Sequence, residues 1–159
     1  MIMDFIQNEK VFFPCYTPEE LEQEDERFDE AYELHMTPES GEDIVAAVHG
    51  YHEAFMDGCP EAGANILNIV CKTIANGIAK CPDEPKAFQD KLEFYIGGLI
   101  DSGYEEIGKY YAAIALVFNL FETEDEEEST AIGLGFIEEL AGQKNKWAIA
   151  YKKYAAQSM

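Results

Sequence analysis

The sequence predicts an all-α domain of about seven helices, arranged as antiparallel hairpins in an irregular bundle or a short helical array. Three observations carry this expectation. Apolar residues recur at intervals of three and four along most of the chain, prolines fall between these stretches, and no run of alternating β-branched residues or Asn-Gly hairpin signal occurs. Only residues 10 to 16 read as an isolated extended segment.

Thr17-Pro18-Glu19-Glu20 opens the first expected helix: a hydroxyl cap, a proline where its missing N–H does no harm, and a glutamate at the capping-box position. The spacing predicts a helix from Pro18 to Met36. Its apolar stripe is narrow (Leu21, Phe28, Ala31, Tyr32), and Arg27 alone opposes the surrounding acids. Thr37-Pro38 ends it, and Ser40 with Asp43 opens a second helix carrying Ile44, Val48, Tyr51 and Phe55, closed by Gly58. Pro60 begins a third, apolar around so much of its circumference that it reads as central and covered on both sides. Cys81-Pro82-Asp83-Glu84-Pro85 separates it from a fourth that starts near Lys86 and stops at Ser102-Gly103. Tyr104 to Phe121 is the richest core helix. The run Glu122 to Glu128 is a solvated turn into a sixth helix that ends at Gly142, and a seventh spans Asn145 to Ala156.

A length of 159 residues fits one domain spanning 1–159, and 47% hydrophobic residues supply a core without disulfides or a structural metal. The charge is the outlying quantity. Thirty-two acidic against 11 basic residues give a formal net charge of −21, a field that repels nucleic acid and anionic membranes and hastens encounter with a basic protein. Cys15, Cys59, Cys71 and Cys81 form no CxxC pair and read as free thiols. With neither a signal-peptide pattern nor 18 consecutive apolar residues, the expected location is cytoplasmic. Nothing in the sequence sets the oligomeric state.

Three joints look alike: Asp57-Gly58, Ser102-Gly103 and Ala141-Gly142. A glycine follows the first two at the same offset, as Gly63 and Gly108, where helices can approach closely, and Trp147 stands there after the third. With Gly103-Tyr104-Glu105-Glu106-Ile107, Tyr110-Tyr111, and Leu134-Gly135 through Gly142 to Ala148, Tyr151 and Ala155, the chain resembles tetratricopeptide-like helical repeats over roughly residues 84 to 156. The joint spacings of 45 and 39 residues exceed that family's period of about 34. The resemblance implies a curved array whose concave face binds a peptide without catalytic residues.

Motifs for chemistry are sparse. His49, His52 and Glu53 share a helical face, but the spacing is not His-Glu-x-x-His and no second cluster completes a zinc or di-iron set. There is no nucleophile elbow, phosphate-binding glycine loop or calcium-loop order in the acidic run. Gly97-Gly98 and Gly133-Leu134-Gly135 lie inside helical patterns and are read as close-packing positions. The expectation is therefore a non-catalytic protein with no cofactor, no metal and no catalytic residue. Its binding residues are expected in two acidic clusters, Glu22, Glu24, Asp25, Glu26, Asp29 and Glu30 and then Glu124, Asp125 and Glu127, with Trp147 as an aromatic anchor. The leading reading is an inhibitor or immunity-type protein that occludes a basic partner such as a nuclease toxin. The alternatives are a tetratricopeptide-like adaptor or secretion chaperone that binds a peptide in a groove, and, third, a metal-dependent helical enzyme.

Overall fold

The computed structural model describes residues 13–75, 85–121 and 125–157. Among them there is no strand. A 3-10 turn, Pro18–Glu20, precedes seven helices: α1 (Glu26–Met36), α2 (Gly41–Met56), α3 (Pro60–Ala75), α4 (Pro85–Asp101), α5 (Glu105–Val117), α6 (Glu126–Gly142) and α7 (Lys146–Gln157). Each helix packs on the next. In addition α3 touches α5 and α5 touches α7, so α3, α5 and α7 form a row against which α2, α4 and α6 lean. The chain is thus an all-α stack of antiparallel hairpins.

α3 lies at the centre, as its apolar circumference requires: every residue from 61 to 71 is buried, Cys71 among them. Burial raises the Cys71 thiol well above its ordinary pKa, and Cys59 and Cys71 are in no disulfide; Cys81 lies outside the described residues. α5 adds Ile107, Tyr110, Tyr111 and Ile114, each at most 2% exposed, and each of the two isoleucines contributes about 1.5–3 kcal/mol by leaving water.

Four helix ends share one geometry. Gly58, Gly103, Asn119 and Lys144 have positive φ, and the next N–H reaches back five residues: Cys59 to Ala54, Tyr104 to Leu99, Leu120 to Ala115 and Asn145 to Leu140, at 2.8–3.0 Å. These are left-handed C-terminal closures that satisfy carbonyls a bare helix end would orphan. Two boundaries shift as a result. α5 stops at Val117 rather than Phe121 because Asn119, a residue that tolerates the left-handed region, turns the chain. At the third joint Gly142 is still helical, and Lys144 makes the turn instead.

The leading helix also begins later than its sequence suggests. Glu20 does fold back on the Thr17 N–H at 2.9 Å, but that closes only the 3-10 turn. The N–H of Glu22 goes to the buried Glu61 carboxylate at 3.2 Å, which draws the chain out of helical hydrogen bonding. Asp25 then restarts it by accepting from Arg27 N and Phe28 N. No helix among the described residues is long and apolar enough to cross a membrane.

Candidate functional site

Two features stand out: an acidic outer surface and a clamp for extended main chain. α1 packs its Phe28 and Ala31 side on α2 and turns Glu26, Asp29, Glu30 and Glu33 to solvent, while Glu22 and Glu24 are exposed in the turn before it. Arg27 is the single cation on α1, and it is held by Asp57, just past the end of α2, and by Asp25 at 3.5 Å. The first predicted cluster is therefore one exposed surface, with Asp25 half-buried and committed to capping.

The second cluster is divided. Glu126, Glu127 and Glu128 are exposed on the first turn of α6, where N–H groups favour anions. Asp125 accepts from Glu128 N at 3.0 Å as the helix cap, and Glu124 lies outside the described residues. Trp147 is half-buried, with its ring 6.2 Å from that of Tyr110 and the Lys146 ammonium 4.7 Å from its centroid. Tyr110 and its neighbour Tyr111 are fully buried core residues.

The clamp was not foreseen. Residues 13 to 16 run extended across α3 and α5. Asn65 pairs with Tyr16 as a neighbouring strand would: it accepts from Tyr16 N at 2.7 Å, and its Nδ2 donates to Tyr16 O at 2.9 Å. One helical turn on, Asn68 Nδ2 donates to Phe13 O, and Tyr111 of α5 donates its hydroxyl to Pro14 O. A carbonyl can only accept, so Asn68 must turn its own oxygen the other way. There it receives His35 Nε2–H at 2.9 Å, and His35 Nδ1 meets the Tyr51 hydroxyl at 2.9 Å. Asn65, Tyr51, His35 and Asn68 thus form a buried network whose terminal atoms hold a peptide backbone.

Glu61 extends the stripe by one turn. It is 3% exposed, takes Glu22 N and bonds the Tyr104 hydroxyl, so that burial and then this carboxylate push the Tyr104 pKa up. Tyr16 stands edge-on to Tyr104 with ring centroids 5.9 Å apart, and burial together with the charge of Glu61 raises its pKa to about 12. The signal was present in the sequence: Glu61, Asn65 and Asn68 are polar residues at i, i+4 and i+7 of an otherwise apolar helix.

The histidine cluster does not gather ligands. His49 is exposed, and His52 Nδ1 bonds the Tyr95 hydroxyl of α4 at 2.9 Å. Among the described residues no three His, Cys, Asp or Glu side chains converge as a metal site. Gly133 is a close-packing position, since a Cβ there would lie 2.6 Å from Val117 N, whereas Gly135 faces open space. No protein-family model, no curated protein and no solved structure matches the chain.

Proposed function

We propose that this protein is a non-catalytic binding protein for a basic protein partner, acting as an inhibitor or immunity-type protein by covering the partner's cationic surface. The observation that supports this reading most is the outer face of α1. Its acids share one arginine, and that guanidinium is taken up by Asp57 and Asp25. Such a face gains most from a cationic partner, through faster encounter and complementary contact.

The test is association kinetics at low salt with the basic partner that co-purifies from the native source. Because Asp25 and Asp125 cap helices, charge reversal should spare them. Glu24→Lys, Asp29→Lys and Glu30→Lys together are expected to slow association about tenfold or more with helical content unchanged, and Glu127→Lys with Glu128→Lys to slow it less. Parental rates for both variants would overturn the reading.

A second reading has its own support. The clamp of Asn65, Asn68 and Tyr111 recognises extended backbone irrespective of side chains, which is how a tetratricopeptide-like adaptor or secretion chaperone would hold a peptide. Binding of that kind should be far less sensitive to salt than binding through the acidic face.

A further inference from the structure

The first and second joints between hairpins can be compared position by position, counting from the left-handed residue of each. Three residues before Gly58 stands Phe55, and three before Gly103 stands Ile100. Each lies over the glycine five residues after its joint: a Cβ on Gly63 would come within 2.7 Å of the Phe55 ring, and one on Gly108 within 2.7 Å of Ile100. The two joints are therefore built alike. Their outer walls are not.

At the first joint Phe55 also fills the space beside Gly98 of α4. Phe94 and Tyr95 close over it, with ring centroids 5.7 and 5.3 Å away. Phe94 and Tyr95 stand nine and eight residues before Gly103, and the positions nine and eight before Lys144 are Gly135 and Phe136. At the second joint, then, one ring is shortened to Ile100 and another is missing at Gly135. Beside this joint an open cavity of about 270 Å³ lies between α4 and α6, floored by α5 and lined by Ile100, Ala112, Phe136 and Leu140, with Lys109 and Glu139 at its polar edge. Lys109 is paired with Glu105 at 3.6 Å, and Asp101 and Glu139 are exposed acids nearby in the chain and at the rim.

We propose that this cavity is a docking site for an aromatic side chain that lies beside a lysine or arginine in a segment of a basic protein partner. Phe55 shows what the same framework holds when the ring is supplied from within. A phenylalanine or tyrosine buries about 150–250 Å² and gains further from an edge-on aromatic neighbour, here Phe136. A cation beside it meets Glu139 at the rim, where Lys109 is already paired with Glu105. The proposal rests on the partner being basic, but it places the anchor away from α1.

The test uses the full chain with methyl-labelled Ile, Ala and Leu and two blocked peptides, one with a phenylalanine between two lysines and one with alanine in its place. The phenylalanine peptide should shift the Ile100, Ala112 and Leu140 methyl resonances saturably and bind about tenfold more tightly than the alanine peptide. Gly135→Phe, which restores the missing ring on an unobstructed helical position, should leave the fold intact and abolish those shifts. If the phenylalanine peptide perturbs only amides of α1 and the first turn of α6, or binds Gly135→Phe as it binds the parent, the cavity proposal is overturned while the acidic reading stands. If neither peptide shifts any resonance at low salt, both fail.

Discussion

The contact of α3 with its surroundings and the contact of α6 with α5 are both tightly buried, yet they are specified by opposite means. Around α3 the fit is written in hydrogen bonds: Asn65, Asn68, Tyr51 and His35 leave one another a single arrangement in which donors and acceptors match. Between α5 and α6 it is written in shape, with Gly133 admitting the backbone of Ala113 and Val117. A polar network fails when a partner is deleted, because desolvated groups lose bonds they cannot recover from water. A close backbone approach fails when anything is added.

The sharpest way to break this contrast is to add atoms at the second contact. Gly133→Val should destabilise by about 3 kcal/mol, read as a lowered denaturant midpoint at constant slope, because backbone atoms cannot yield as a flexible side chain would. Gly135→Ala, two residues away in open space, should instead gain up to about 1 kcal/mol from helix propensity. Equal losses at the two positions would show that α6 does not dock through Gly133. Deleting atoms at the first contact comes next in size. Asn68→Leu keeps the branched shape of the side chain but removes one bond each from Phe13 O and His35, and about 2 kcal/mol of stability should go with them. A cost below about 0.5 kcal/mol would mean the network contributes no specificity. The smallest effect should be a gain. Lys144 holds φ at 67°, so Lys144→Gly should stabilise by about 1 kcal/mol in thermal unfolding, and a loss would mean the lysine side chain supports the turn in another way.

The helices were legible because their signals are local. Pro60, Gly58 and Gly103 each mark a boundary through a conformation that can be read from the residue alone. The missed boundaries depended on distant partners. A helix from Pro18 satisfies every local rule, but Glu61, 39 residues on, takes the Glu22 N–H. Lys144 carries no turn signal, and Gly142 beside it carries a misleading one. The acidic surface could be read from composition and is exposed as expected, although the capping work of Asp25 and Asp125 divides it. The clamp escaped notice because asparagines inside an apolar stretch look like interruptions until the segment they hold is placed against them.

That segment also changes how the molecule can come apart. A stack whose helices touch only near neighbours is a one-dimensional object, able to unravel from either end in separate stages. The bond from Tyr111 to Pro14 joins residues 97 apart in sequence, and those from Asn65 and Asn68 tie the same segment to α3. The inner helices cannot loosen without releasing the segment, and the segment cannot leave without exposing their polar atoms. Over α1 to α5 what would otherwise be a zipper is locked into one cooperative event, so these helices should exchange their most protected amides together, while α6 and α7, outside the tie, open first.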